Sequence, residues 1–150
     1  FAGAPLLVAF MCNHCPYVQH VEARFGELMR AHLDLPVVAI CSNDAQGYPQ
    51  DAPVHLAAQA QRAGWSFPYL IDESQDVGRA FRAACTPDFF LYDAGHALAY
   101  RGAFDSSSPG NNQPLTGSDL RAAIDAVLAG QPAAQPQRPA MGCSIKWKGE

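Results

Sequence analysis

The chain has 150 residues, of which 49% are hydrophobic, and a formal net charge of −4 at pH 7. This length allows one globular domain with a sizeable core, and the acidic balance excludes the basic surface that binding to nucleic acid or to anionic membranes requires. No apolar run approaches the roughly 20 residues of a membrane span. The cysteines, five in all, are too few and odd in number for a secreted disulfide scaffold.

The first predicted elements are a buried strand over residues 6–11 and a helix from Pro16 to about Leu33. Between them stands Cys12-Asn13-His14-Cys15. At this strand-to-helix junction the helix dipole is expected to lower the pKa of the Cys12 thiol from about 8.5 towards the range of roughly 3.5–7.5. Cys12 is therefore the predicted nucleophile.

The other two polar groups of this motif have predicted roles as well. Cys15 falls on the same face of the first helical turn, where disulfide geometry can be met, and is the predicted resolving thiol. An imidazolium at His14 would stabilise the Cys12 thiolate further, and each pKa unit corresponds to a potential about 30 mV more oxidising. The alternative for His14 is a solvated residue at a turn, on which the dithiol interpretation does not depend.

Strand and helix signals alternate along the rest of the domain. Strands are predicted at 36–41, 67–72, 89–92 and 97–100, the last two joined by a hairpin that contains glycine. Helices are predicted at 52–63, 75–84 and 115–129, the last capped by Thr116 or Ser118 and ended by Gly130. The pattern predicts one α/β domain over residues 1–130, with a sheet that ends antiparallel.

The C-terminal residues 131–150 differ in composition. Residues 131–139 are rich in proline and should run extended. Cys143, Ile145 and Trp147 then alternate with polar residues, which predicts a tail packed on the domain, with fraying as the alternative. At the other end, the chain starts at Phe1 and leads directly into a strand, so we expect an upstream segment to have been trimmed. The expected location is the cytoplasm, with export as the alternative if that segment held a signal.

Several of these motifs resemble a known family. The Cys-x-x-Cys at a strand-to-helix junction, and Thr86-Pro87 before a strand, resemble the active-site pair and cis-proline loop of the thioredoxin-like superfamily. More narrowly, residues 12–18, 85–91, 100–102 and 141–148 are similar to its peroxiredoxin-like, AhpC/TSA-related redoxin branch. The resemblance implies an α/β three-layer sandwich, with a central mixed sheet, helices on both faces and an extended tail. It also implies that Pro87 is cis, opposite the cysteine pair, and that Thr86 presents its backbone to a substrate chain.

The motif and the resemblance together predict a thiol-disulfide oxidoreductase with no cofactor and no bound metal. Its substrates would be protein or small-molecule disulfides, and a dithiol partner would reduce it. Cys85, beside the cis-proline loop, and Cys143 are candidate accessory thiols. For Cys85 the alternative is a small buried residue before a turn.

Two other functions compete with this prediction. In a thiol peroxidase, a peroxide would oxidise Cys12, and Cys15, Cys85 or Cys143 would resolve the sulfenic acid. Pro5 stands in register with the peroxiredoxin signature, but Ala9 stands where that signature has Thr or Ser, and Arg101 would have to replace its arginine. The less favoured alternative is metal binding by Cys12 and Cys15 with His14, His20 or Cys143, because a single Cys-x-x-Cys is weak metal-site evidence.

Overall fold

The computed structural model of the protein describes residues 3–149. Its elements are, in chain order, β1 (Leu6–Phe10), α1 (Pro16–Arg30), β2 (Val37–Cys41), a 3-10 turn (Pro49–Asp51), α2 (Pro53–Ala63), β3 (Tyr69–Ile71), α3 (Asp76–Ala80), β4 (Cys85–Thr86), β5 (Asp88–Tyr92), β6 (Leu98–Gly102), α4 (Ser118–Leu128) and β7 (Cys143–Ser144).

Five strands form one mixed sheet in the order β3-β2-β1-β5-β6. β1, β2 and β3 run parallel, whereas β5 lies antiparallel to β1 and β6 antiparallel to β5. The apolar sequences of β1 and β2 fit this position, because strands in the centre of a covered sheet are buried on both faces. The α/β fold and the antiparallel end of the sheet are as predicted.

The sheet separates two apolar layers. On one face, residues of α1, α2 and α4 pack with Leu7, Ala9 and Phe89 of the strands. On the other face, Phe10 and Phe90 are covered by Phe81, which follows the short helix α3, and by Ile145 and Trp147 of the tail. Both faces are therefore covered. On the second face, the tail and the short helix α3 bury the apolar side chains that a longer helix would otherwise bury.

Three helices have boundaries that differ from the sequence prediction. α1 ends at Arg30, three residues before Leu33, and α3 spans Asp76–Ala80 rather than 75–84. Arg82 lies in the left-handed region with φ 56°, so the helix cannot continue through it. α4 begins at Ser118, and neither predicted cap occupies the N-cap position.

The start of α4 is instead held by Asp105, which lies 11 residues before Thr116 in the sequence. Its carboxylate accepts the backbone N–H groups of Thr116 and Gly117, each at 2.7 Å. Gly117 is the N-cap residue, with φ 70°, and the Thr116 hydroxyl accepts the N–H of Ser118 from one position further out. A carboxylate at a helix N-terminus also interacts favourably with the helix dipole.

The last residues return across the domain and pair with the loop before β5. β7 lies antiparallel to β4 in a separate two-stranded ladder, with Thr86 opposite Cys143 and Cys85 opposite Ser144. Beyond the ladder, Ile145 is 3% exposed, and Trp147 stacks against the Arg79 guanidinium at 4.2 Å. Among residues 3–149, no helix combines the length and the hydropathy that crossing a membrane requires.

Candidate active site

The two cysteines of the motif lie side by side at the carboxyl end of β1. Cys12 follows the strand, and Cys15 is the N-cap residue of α1, with extended backbone angles. Both are 0% exposed, and all five cysteines of the chain are free thiols. The structure thus places a dithiol in a solvent-inaccessible site at the N-terminus of a long helix.

The Thr86-Pro87 segment closes this site from the opposite side. Its peptide bond is cis, and both residues are buried. The Thr86 hydroxyl lies 3.3 Å from the Cys12 sulfur, and the Thr86 carbonyl oxygen lies 3.5 Å from the Cys15 sulfur. Four of the predicted site residues, Cys12, Cys15, Thr86 and Pro87, therefore meet in one place.

A buried carboxylate holds the turn between the cysteines. The side chain of Asp51 is 0% exposed. One of its oxygens accepts the backbone N–H groups of Asn13 and His14, at 2.7 and 3.2 Å. The other oxygen binds His14 Nδ1 at 2.5 Å and accepts the Asn43 amide at 3.0 Å. Four hydrogen bonds on one carboxylate fix the shape of the turn.

His14 consequently has a defined orientation rather than a solvated one. Its ring is bound to Asp51 through Nδ1 and stacks on Tyr48, with ring centroids 5.0 Å apart. A ring nitrogen of His14, the Cys12 sulfur and a carboxylate oxygen of Asp51 lie within 4.8 Å of one another. The His14 ring and the negative charge of Asp51 therefore both lie near the Cys12 thiol.

The two thiols of the pair titrate together. The hydrogen bond with Cys15, burial and the Asp51 charge raise the pKa of Cys12 well above its usual value, although the Thr86 hydroxyl opposes them. The hydrogen bond from Cys12, the Cys143 thiol and the Val18 and Cys143 N–H groups lower the pKa of Cys15 to about 4, despite burial. The two sulfurs therefore share one proton, and a lowered pKa at Cys12 itself stays a prediction.

Gln59 is a further polar residue of the site that the sequence analysis missed, as it missed Asp51. It is 0% exposed, donates to the Cys12 carbonyl at 2.8 Å and accepts the Tyr69 hydroxyl at 2.8 Å. Its only signal in the sequence is a glutamine on the buried stripe of α2, between Leu56 and Ala63. Asp51 lies in a loop and gives no periodic signal.

The candidate accessory thiols face different surroundings. Directly paired residues of an antiparallel ladder share one face, and neighbours along a strand alternate. Cys143, opposite Thr86, is on the face of the ladder that meets the cysteine pair, and its thiol and N–H help to lower the pKa of Cys15. Cys85 lies on the other face, where burial and the Asp88 charge raise its pKa to about 12.

The residues weighed for peroxide chemistry are also placed. Ala9 is buried inside the sheet and carries no hydroxyl, whereas the Thr86 hydroxyl contacts the Cys12 sulfur at 3.3 Å. The Arg101 guanidinium contacts the Asp88 carboxylate at 3.3 Å and the Arg82 carbonyl at 2.9 Å. Arg101 is thus part of the cluster around Cys85 and Asp88.

Within the described chain, one group of side chains has the spacing to hold a metal ion: Cys12, His14 and Asp51. It does not include Cys15, Cys143 or His20, and His20 instead binds the Ser107 hydroxyl at 2.6 Å. Both oxygens of Asp51 already accept two hydrogen bonds each. A metal would have to displace these donors, so the geometry favours the thiols acting as thiols.

The mixed sheet, the cis-proline loop and the dithiol at the first strand-to-helix junction define a thioredoxin-like protein. The chain belongs to the AhpC/TSA family, whose model matches residues 1–104. No curated protein matches the sequence.

Solved structures extend this result to the whole chain. A hypothetical protein from Sinorhizobium meliloti 1021 is 46% identical, with a TM-score of 0.96 over 99% of this chain and 82% of its own. An uncharacterized conserved protein from Geobacillus kaustophilus is 45% identical, with a TM-score of 0.95 over 99% and 80%. A secreted Mycobacterium tuberculosis disulfide oxidoreductase homologous to E. coli DsbE is 14% identical, with a TM-score of 0.65 over 83% of each chain. This last likeness shows a shared fold.

Proposed function

We propose that the protein is a thiol-disulfide oxidoreductase whose redox centre is the pair Cys12 and Cys15. The observation that carries the proposal is the meeting of both buried sulfurs at Thr86: the Cys12 sulfur lies 3.3 Å from the Thr86 hydroxyl, and the Cys15 sulfur lies 3.5 Å from the Thr86 carbonyl oxygen. Two cysteines three residues apart at a helix N-terminus can form a disulfide without moving the backbone. A thiolate at Cys15, already surrounded by donors, is ready to take part in exchange.

The cycle begins with the reduced pair. The Cys12 proton passes along the shared hydrogen bond to Cys15, and the Cys12 sulfur attacks one sulfur of a substrate disulfide. The substrate bond breaks, one substrate thiolate leaves and takes a proton from solvent, and Cys12 holds the other half as a mixed disulfide. Cys15 then attacks the Cys12 sulfur, and its proton passes to the second substrate sulfur, which leaves as a thiol. The substrate gains two electrons and two protons, and the pair becomes a disulfide.

Direct attack by Cys12 on a large substrate requires movement of the tail. Both thiols are 0% exposed while β7 is paired with β4. Residues 142–144 must leave Thr86 before a protein chain can take their place there. The proposed substrates include both small-molecule disulfides and protein disulfides.

A dithiol partner would return the pair to its reduced state. The sharing of the fold with a disulfide oxidoreductase from Mycobacterium tuberculosis supports this class of partner. The proposal also includes a cytoplasmic site of action, with Cys12 attacking and Cys15 resolving. It needs no cofactor, since the electrons move between sulfur atoms.

The test is a redox titration in glutathione buffers, followed by acid quenching, alkylation and mass spectrometry. Wild type and Cys85→Ser should show one two-electron transition between Cys12 and Cys15, and Cys12→Ser and Cys15→Ser should lose it. A parallel pulse of hydrogen peroxide should oxidise Cys12 slowly. Rapid, stoichiometric sulfenic acid at Cys12 in Cys15→Ser would instead make peroxide reduction the working function, with the Thr86 hydroxyl beside the reacting sulfur.

A further inference from the structure

Three thiols, rather than two, lie at this site. Cys12 and Cys15 both contact Thr86, and Cys143 packs against the buried cluster that contains them. The position of Cys143 is fixed by the ladder, in which Cys143 stands opposite Thr86. The three sulfur atoms therefore gather around one residue, Thr86.

The three thiols differ in their access to solvent. Cys12 and Cys15 are 0% exposed, whereas Cys143 is half-buried. Gly142 brings the tail so close that a Cβ there would overlap the Thr86 carbonyl oxygen. With the tail in place, Cys143 is the thiol of these three that solvent reaches.

The tail is also anchored well enough to hold this position. The Lys146 N–H donates to the Asn43 side chain at 2.8 Å, and its carbonyl accepts the Asp44 N–H at 2.8 Å. Ile145, one residue before, is buried under the sheet. Contacts on both sides of the backbone keep Cys143 facing Cys15.

We propose that Cys143 is a relay thiol that carries the disulfide between the buried pair and an external dithiol. The inference rests on the proposed redox function of Cys12 and Cys15. In the first step, the Cys143 sulfur attacks Cys15 in the oxidised pair. The bond between Cys12 and Cys15 breaks, a bond between Cys15 and Cys143 forms, and the proton from Cys143 ends on Cys12. No electrons enter or leave in this step.

The second step uses the external dithiol. One of its thiolates attacks the half-buried Cys143 sulfur, and Cys15 leaves. Cys15 is a favourable leaving group because a thiol of low pKa, here about 4, departs more readily. The second thiol of the dithiol then attacks the first sulfur of the same dithiol, which is bonded to Cys143. This attack releases Cys143. The dithiol becomes a disulfide and loses two protons, one to Cys143 and one to solvent. The protein gains two electrons and one proton, and Cys15 is left as a thiolate.

Cys85 provides a matched control. It is adjacent to Thr86, half-buried like Cys143, and in the same ladder, but it belongs to the opposite face, near Asp88 and Pro87. Replacing either cysteine by serine removes one half-buried thiol from the same pair of strands. Only the loss of Cys143 should affect the relay.

The experiment has a trapping arm and a kinetic arm. In the trapping arm, reduced Cys12→Ser is equilibrated in an oxidising glutathione buffer and mapped by mass spectrometry. It should form a disulfide between Cys15 and Cys143, and none to Cys85. In the kinetic arm, oxidised wild type, Cys143→Ser and Cys85→Ser are reduced with dithiothreitol. The reduction rate of Cys143→Ser should be about one tenth of the wild-type rate or lower, because this variant loses an intramolecular step. The rate of Cys85→Ser should match that of wild type.

The outcomes separate this inference from the proposed function. If wild type forms no disulfide between Cys12 and Cys15 in the glutathione titration, the proposed function fails. If that disulfide forms but Cys143→Ser is reduced as fast as Cys85→Ser, the relay is overturned and the proposed function stands. Thermal unfolding and circular dichroism of both serine variants check that β7 is still docked. A faster reduction of Cys143→Ser would likewise overturn the relay, because it would show that the tail only shields the pair.

Discussion

The Asp51 carboxylate binds the His14 imidazole through Nδ1 and also accepts the backbone N–H of the same residue. The histidine of the Cys-x-x-Cys motif is thus tied, by side chain and backbone, to a buried negative charge. This charge acts on Cys12, whose pKa it helps to raise. The intervening residues of the motif therefore set the electrostatics of the site together with a residue outside the motif.

Neutralising this charge should make the Cys12 thiol more acidic. In a Cys15→Ser background, which isolates Cys12, we expect Asp51→Asn to lower the Cys12 pKa by about one unit. The reason is that a negative charge a few ångströms from a thiol disfavours the thiolate and so raises the pKa of the thiol. The measurement is the thiolate absorbance near 240 nm as a function of pH. Asp76→Asn, which changes an exposed carboxylate, should leave the titration where it was. An unchanged Cys12 pKa in Asp51→Asn would show that the carboxylate does not govern this thiol.

Gly142 controls access to the cysteine pair. A Cβ at this position would overlap the Thr86 carbonyl oxygen, a backbone atom that cannot move aside cheaply. Gly142→Ala should therefore loosen β7 and speed the alkylation of Cys12 and Cys15 by iodoacetamide. A loss of about 1.4 kcal/mol of docking free energy raises the open population about tenfold.

Gly95→Ala is the control for this prediction. A Cβ at Gly95 would meet only the Asp93 side chain, at an ordinary contact distance of 3.4 Å. Its alkylation rates should match wild type. Equal rates in Gly142→Ala and Gly95→Ala would contradict a tail that closes the site.

Ile145 should anchor the tail energetically. It is 3% exposed and lies with Phe10 and Phe90 in the second apolar layer, on the face of the sheet that the tail covers. We expect Ile145→Ala to reduce the free energy of unfolding by about 2–5 kcal/mol, the usual cost of removing a buried isoleucine side chain. Urea unfolding measures this loss. Ile71→Ala, at a position 46% exposed, should cost far less, and equal losses would show that the tail adds little to the core.

Asp88 should give stability a dependence on pH. It is 2% exposed, one of its oxygens has no hydrogen-bond partner in the described structure, and burial raises its pKa to about 6, against the pull of Arg101. A carboxyl with a raised pKa in the folded state binds its proton more tightly there than in the unfolded chain. Its contribution is therefore fully present below the unfolded pKa near 3.8 and is lost as the pH rises through about 6.

Asp88→Asn isolates this contribution, because asparagine does not titrate. The free energy of unfolding of the variant relative to wild type should rise by about 3 kcal/mol between pH 3.5 and pH 7, at 1.36 kcal/mol per pKa unit. Urea unfolding of both proteins at several pH values provides the measurement. Parallel pH profiles for the two proteins would show that Asp88 has an ordinary pKa in the fold.

Much of the fold could be predicted because its signals are local. The apolar run of β1, the helical spacing after Pro16 and the glycine in the β5-β6 hairpin are each set by neighbours within a few residues. The boundaries that were missed depend on distant groups or on single backbone angles. Asp105 holds the start of α4, and the left-handed Arg82 shortens α3.

The sequence by itself determined that two cysteines stand three residues apart at a strand-to-helix junction, because strand and helix periodicity are written into the surrounding residues. Only the tertiary structure decided which groups surround the two thiols and what covers the pair. Thr86 is 74 residues from Cys12, and Asp51 is 37 residues from His14. Thiol pKa values depend on burial and on charges within a few ångströms, which the chain supplies from segments that no local pattern connects.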